Sequence, residues 1–464
     1  MKNFGLDLIS YETNLVMKKK TSRIILIVGG VLVVSVAVFA FYIWNLTQKS
    51  EKIGGIRESI PQKTVVPDVL TKGNSDWSSW QGQFFDRKSN FTGIKKDWSK
   101  GLNKLWEVNY LCQGNQTATW SAPVIQGKVL VVPGRDENND LVFCLNSETG
   151  ELIWKGSYEV DTKTNHGPGA RATPFIDNDK VYTFGRSGDM VCWNLSDGKI
   201  LWHRKVSDIG GIEPDWGHSS SPLVYGNKVI VQTGGKSLAA AYNKLTGEIV
   251  WTTGKGFAGY APANVFKQDS SILLFSGEAI SGIDSETGSV NWTIPWIVDY
   301  KMNASLPVSD GNIVFVTSGY GKGSAALKVV NKKASVLWSS KALEGQHSDP
   351  VIVDGFVYGY SGNNTNNKGK LECLRLSDGK EMWQSSEVGI GSFAYADGYL
   401  VCFDVKGNLY LVEANPDKFV KAGEFKIAMP DVKNSSWTEP VIANGRLYLR
   451  YLQNIICYDI NGRE

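Results

Sequence analysis

Beyond residue 120, short apolar runs alternate with turn residues in a pattern that repeats along the chain. One element reads as strand, two-residue turn, strand. It appears as APVIQGKVLVV (122–132), TPFIDNDKVYTF (173–184) and SPLVYGNKVIVQ (221–232). Later copies are LPVSDGNIVFV (306–316), DPVIVDGFVYGY (349–360) and EPVIANGRLYLR (439–450). A third short apolar run follows each copy, and then a second signature: NSETGELIW (146–154), NLSDGKILW (194–202), NKLTGEIVW (243–251), DSETGSVNW (284–292) and RLSDGKEMW (375–383). Trp stands four residues after Gly in all five. Asn or Asp ahead of a Thr-Gly or Asp-Gly turn is hairpin chemistry, with Gly taking the left-handed position. The run that ends on Trp is then the fourth strand of a unit.

Four strands per repeat describe a propeller blade. Trp106, Trp154, Trp202, Trp251, Trp292, Trp338 and Trp383 recur at 48, 48, 49, 41, 46 and 45 residues, and Phe425 follows at 42. The last unit lacks its fourth strand, while LNKLWEVN (102–109) is an orphan fourth strand near the start. Joining the two closes the ring and removes its free edge. The expected fold is all-β: an eight-bladed propeller of four-stranded antiparallel blades. Seven blades is the alternative if the degenerate unit at 393–425 is an insertion.

Residues 24–44 break this pattern. These 21 residues carry no charge. At about 1.5 Å per residue they span about 31 Å, the thickness of a bilayer core. Lys18, Lys19, Lys20 and Arg23 precede the run, and Tyr42 and Trp44 close it; such flanks favour a cytoplasmic N-terminus. Secretory apolar regions run only about 7–15 residues, so an uncleaved anchor is expected. The first cysteine is Cys112, which excludes a lipoprotein anchor. The reading is a cytoplasmic tail (1–23), a single transmembrane helix (24–44), a linker (45–75) and a propeller (76–464). That places the protein in the cell (cytoplasmic) membrane with its propeller periplasmic or otherwise extracytoplasmic.

Cys144, Cys192 and Cys373 each lie six residues before the turn glycine, with Cys457 near the same place. Equivalent positions in different blades do not face one another. They read as small buried residues rather than disulfide partners.

At these residues the chain resembles the PQQ-like repeat proteins, whose repeat carries A-x-D-x-x-T-G-x-x-x-W. That resemblance implies an eight-bladed propeller in which the repeated Trp docks between neighbouring blades. DWSSWQGQFFDRKSNFTG (76–93) is also similar to the W-x-x-[WF]-R-G lead-in of the BamB-like bacterial branch, with Gln81 in place of its Arg. Quinoprotein dehydrogenases share this repeat, and the resemblance to them would imply a vicinal disulfide, a Ca²⁺ set and often a haem motif. The chain has no adjacent cysteines and no C-x-x-C pair.

The 49 basic residues nearly balance 46 acidic ones, so no electrostatic footprint for nucleic acid exists. No H-E-x-x-H, P-loop, G-x-S-x-G or Ser-His-Asp order is present. Neither catalytic residues, metal nor cofactor are expected. Propellers bind at the channel mouth, through loops leading into the first strands and joining the middle two. Those leading loops hold Trp120, His166, Arg171, Trp216, His218, His347 and Trp437 as candidate partner-binding residues, with Asp215, Asp349 and Glu439 nearby and Arg135 and Arg186 in the middle loops. Trp, Arg and His suit stacking and hydrogen bonding to a peptide or glycan. The expectation is a non-enzymatic binding or scaffold protein for a protein or cell-envelope polymer, with envelope assembly as the process. A quinoprotein-like or glycan-active enzyme is the alternative.

Overall fold

The computed structural model describes residues 75–462, apart from 115–116, 161–166, 364–367 and 428–437. The proposed transmembrane span and linker lie outside these residues, except for Ser75. Among the described residues no helix is long and apolar enough to cross a membrane.

The strands form eight sheets, each built on four antiparallel strands, in chain order in seven of them. Blades 1 to 7 cover 124–159, 175–205, 223–253, 264–295, 308–340, 351–385 and 391–426. Blade 8 takes three strands from 441–459, and its outer strand is Asn103–Val108, antiparallel to Asn454–Asp459. The seventh unit is therefore a blade, and the seven-bladed alternative falls. Its strands Gly391–Ala396, Tyr399–Asp404, Asn408–Glu413 and Lys421–Lys426 pair like the others.

Each outer strand shows a register shift that leaves one residue unpaired. The residue after it is the repeated Trp in seven blades. A bulge there bends the strand and spoils the exposed edge for pairing with another chain. Opposite the Trp sits a small side chain: Cys144, Cys192, Cys373 and Cys457 face Trp154, Trp202, Trp383 and Trp106. All six cysteines are free and buried. Burial pushes the Cys192, Cys373 and Cys457 thiols up to about 12.

The Trp rings stitch the blades together. Trp106, Trp154, Trp202 and Trp251 donate their indole N–H to the carbonyls of Ser147, Leu195, Lys244 and Ser285 in the next blade's turn, at 2.7–3.1 Å. Trp338 and Trp383 do the same with Leu376 and Asn415. The turn glycine is doubly required. Gly198 has φ +71°, and a Cβ there would lie 2.5 Å from the Trp154 ring. Each ring buries about 200 Å², worth roughly 5 kcal/mol at most.

Two exceptions have physical causes. Blade 5 replaces the Thr-Gly turn by a two-residue hairpin, Asn331–Lys332, with both residues at positive φ. No carbonyl reaches back, and the buried Trp292 N–H is without a partner. Its ring instead rolls over its own strand pair, where Gly282 leaves room: a Cβ would come within 2.2 Å of Nε1. In blade 7 the Trp position is Gly423, which faces Leu411, and Phe425 supplies the eighth docking ring instead, its edge 3.1 Å from where a Cβ would stand on Gly101, the glycine ahead of blade 8's outer strand. Phe425 lies two places on and packs edge-on against Tyr458. Trp98, arriving from the N-terminal lead-in, covers Gly423 instead.

That lead-in fills the ring's axis. Asp76 accepts from Gly127 and Asn444, in the turns of blades 1 and 8. Trp77 bridges Ile125, and the Ser78 carbonyl accepts from Ile176, both on innermost strands. Gln81 donates to the Ala263 carbonyl (2.8 Å) at the start of blade 4, and Trp80 to Asp349 ahead of blade 6. Lys88–Ser89 then runs parallel to the innermost strand of blade 7. The chain leaves with Gly93 and Ile94 donating to Asp397, in a turn of blade 7. It is a hairpin pushed into the channel from the turn face, touching the inner strands or leading loops of six blades.

Candidate functional site

The loops leading into the first strands and those joining the middle strands share the face opposite the turns. On it the structure gathers the predicted residues into two sets. Trp120 is half-buried with the Arg171 guanidinium 4.9 Å over its ring. Arg171 also donates to the carbonyls of Gly167 and Gly169. Burial, with the nearby charge of Arg186, holds its pKa down at about 9. Arg186 is buried and paired with Glu213 at 2.6 Å, and Arg135 with Asp140 at 2.7 Å.

Trp216 is half-buried against Tyr260 (ring centroids 5.9 Å) and Tyr300 (5.8 Å), and Tyr300 touches Tyr320 (5.6 Å). Gln346 donates to the Tyr320 hydroxyl at 3.1 Å, with half-buried His347 next in the chain. A continuous aromatic band thus crosses the rim of blades 3 to 5. Tyr300 is 64 % exposed and Tyr320 41 %, flanked by exposed Ile212, Phe257 and Ile297. Tyr300, Lys301 and Tyr320 all hold φ of +55° to +58°, a conformation costly for side chains of this size.

His218 is placed differently from the rest: it is 2 % exposed, its ring 5.0 Å from that of Phe184. Burial and then Arg186 push its pKa down to about 4. Burial does the same to His347. Asp349 and Glu439 are taken inside, both paired with Arg87 of the channel hairpin. Asp215 is exposed. His166 and Trp437 lie outside the described residues. Among the described residues no group of three His, Cys, Asp or Glu is placed to hold a metal.

The neutral, buried His218 makes a measurable claim. A histidine whose folded pKa is lowered leaves stability intact above the unfolded value near 6.5, and stability drains as pH falls towards 4. Between pH 7 and 4 the protein is expected to lose about 3 kcal/mol more than His218→Phe does. Parallel denaturant melts across that range check it; superimposable losses would mean that the ring protonates freely.

Sequence reasoning reached Trp216 and missed Tyr260, Tyr300, Tyr320, Ile212, Phe257 and Ile297. A lone aromatic in a loop carries no sign of whether it is exposed. The available signal was position, since all six stand in loops of this one face.

Of the sixteen exposed large hydrophobic side chains among the described residues, fourteen fall between residues 200 and 337. The other two are Phe84 and Leu105, so blades 6 and 7 show none. Monomers scatter such residues, and concentration on one arc marks an interaction surface.

The comparisons with known proteins fit this architecture. The outer membrane protein assembly factor BamB of Yersinia pestis is 22 % identical over 370 residues, covering 75 % of this chain and 86 % of that one. The crystal structure of BamB from Moraxella catarrhalis superposes with a TM-score of 0.57 at 14 % identity, over 78 % of this chain and 99 % of that one. The quinohemoprotein alcohol dehydrogenase of Comamonas testosteroni gives 0.59 at 13 %, over 84 % and 81 %. At such identities the two structures speak for the fold alone. A family described as outer membrane protein assembly factor BamB matches residues 138–385, more than half of the chain. The chain therefore belongs to the BamB-like family of PQQ-like repeat β-propellers.

Proposed function

We propose that the protein is a membrane-tethered, extracytoplasmic propeller that binds a protein partner through the aromatic rim of blades 3 to 5 and serves cell-envelope assembly without being an enzyme. The observation that carries this is the aromatic band Trp216–Tyr300–Tyr320 on the apolar arc of the ring, whose two tyrosines are exposed and held in a strained backbone. Interfaces favour Trp and Tyr as anchors, and exposed Ile212 and Ile297 suit a protein surface better than a glycan. Relatives named for outer membrane protein assembly support the process. The uncharged segment 24–44 supports the tether.

The enzyme reading draws on the quinohemoprotein likeness. Against it, the axis is filled by Trp80, Gln81 and Arg87, and Asp349 and Glu439 are already engaged by Arg87. The residues present do not fit a quinone there. Scanning the protein after incubation with the quinone and Ca²⁺ separates the readings: a bound chromophore would favour the enzyme.

A photo-crosslinking residue at Tyr300 is expected to capture a polypeptide from membranes, where one at exposed Lys380 captures none. Tyr300→Ala with Tyr320→Ala should abolish co-purification of that partner, each truncation costing about 2 kcal/mol of binding. Both rings are exposed, so the melting temperature should hold. Undiminished co-purification at equal protein levels would move the partner surface elsewhere.

A further inference from the structure

Five of the exposed apolar residues between 200 and 337 belong to the aromatic rim, and most of the others stand on the outer wall of the ring. The pairs Ile200–Leu201, Ile249–Val250 and Val336–Leu337, with Val290 in blade 4, lie on the outermost strands of blades 2 to 5 and are 41–53 % exposed. The bulge turns them outward. In a regular strand one of two successive side chains would face the neighbouring blade. Here Leu201, Val250 and Leu337 are the residues that the register shift leaves unpaired, and each stands beside a second exposed apolar residue, just ahead of the buried Trp.

The rest of the wall is different. Glu381, Lys421 and Lys104 take the first place of the pair in blades 6, 7 and 8, and Leu152–Ile153 of blade 1 is half-buried. Charge divides along the same line. The outermost strands of blades 1, 6, 7 and 8 each carry a carboxylate, Glu159, Glu381, Glu424 and Glu107. Those of blades 2 to 5 carry none, and instead present Arg204, Lys205 and Lys333. Arg204 donates to the carbonyls of His203, Thr246 and Gly247 rather than to a carboxylate. Half of the wall is thus apolar, free of acids on its edge strands and basic.

We propose that the outer wall of blades 2 to 5 is a docking track for an extended polypeptide segment bearing apolar and acidic side chains. Shape argues for a chain. The wall of a closed ring is convex, so a flat bilayer or a second ring meets one or two blades, whereas a polypeptide that bends can follow all four. Strand addition does not fit, because a bulge interrupts each edge, so the contact is made by side chains. The cations, with no carboxylate among them on these strands, call for an acidic partner. Successive blades then act as linked sites, each contact raising the effective concentration for the next.

The test uses the full-length protein in nanodiscs and a fluorescein-labelled peptide of alternating Leu and Asp spaced by Gly. At about 30 residues such a peptide reaches about 100 Å when extended. Anisotropy should show saturable binding, more than tenfold weaker for a peptide one third as long. Ile200→Ser with Leu201→Ser, at one end of the track, should weaken the long peptide about tenfold, and so should Val336→Ser with Leu337→Ser at the other. Exchanging the peptide's Asp for Lys should abolish binding. Tyr300→Ala with Tyr320→Ala should leave it unchanged, so this result and partner capture at the rim stand or fall separately. Absence of saturable binding, or equal affinity in both wall variants, overturns the proposal. So does displacement of the peptide by phosphatidylglycerol vesicles, which would make the wall a lipid-binding surface. A dimer in detergent that the wall variants split would make it a self-interface and overturn the proposal as well.

Discussion

Deleting residues 103–108 is expected to abolish cooperative folding, a loss of more than about 5 kcal/mol. The strand Asn103–Val108 closes blade 8 by antiparallel pairing with Asn454–Asp459, and Trp106 within it docks onto the next blade's turn. Truncating one buried aromatic typically costs about 3–5 kcal/mol, and here a ladder and the closure of the ring go with it. Asn103 pairs with Asp459, so the strand grafted after residue 462 through a short turn would return to its place as an ordinary fourth strand. That graft should restore most of the lost stability. Calorimetric melts of the deletion and the graft decide it. A deletion that melts like the parent would mean that the ring does not depend on this strand.

The second large effect lies on the axis. Arg87 is buried, with its guanidinium against Asp349 and Glu439 and over the rings of Trp77 and Trp80 at 5.5 and 5.1 Å. Arg87→Met keeps much of the volume and strands two buried carboxylates, which is expected to cost about 3–5 kcal/mol. Burial already raises the Asp349 pKa, with Arg87 pulling the other way. Without Arg87 the rise is larger. An acid whose folded pKa is raised is destabilising above that pKa and harmless once protonated, so the deficit should shrink as pH falls from 7 towards 5. Denaturant melts of both proteins at several pH values would show this convergence. A deficit that widened on acidification would mean that the carboxylates find other cations.

Much of the fold was legible because each blade writes its own signature. Thr-Gly-x-x-x-Trp marks a turn, a bulge and a docking ring whose partner is the adjacent repeat, and all of that is local. Blade 7 was blurred because Gly423 stands at the Trp position and its filler, Trp98, comes from more than 300 residues away in sequence. The channel hairpin was illegible for the same reason. Trp80 and Arg87 are ordinary loop residues until Asp349 and Glu439 are folded beside them. For the candidate site, loop position placed the described candidates on one face and brought Trp120 and Arg171 into contact, but did not give exposure. His218 lies one turn residue beyond Trp216, yet its backbone N–H is held by the Arg186 carbonyl and its ring turns inward.

The stretch 75–108 both fills the axis and supplies the last strand, and this sets a schedule for folding. It leaves the ribosome before any blade, yet its partners at 349, 395, 439 and 454–459 come last. Its contacts at 125–127, 176 and 263 can form as those blades appear, but for most of synthesis the closing strand and Arg87 lack their partners, and these contacts of very long sequence separation remain unmade. Such contacts slow folding and expose edges to aggregation. At about 5–20 residues per second the wait lasts some tens of seconds. Completing the final blade is therefore the step at which a holding chaperone would matter most.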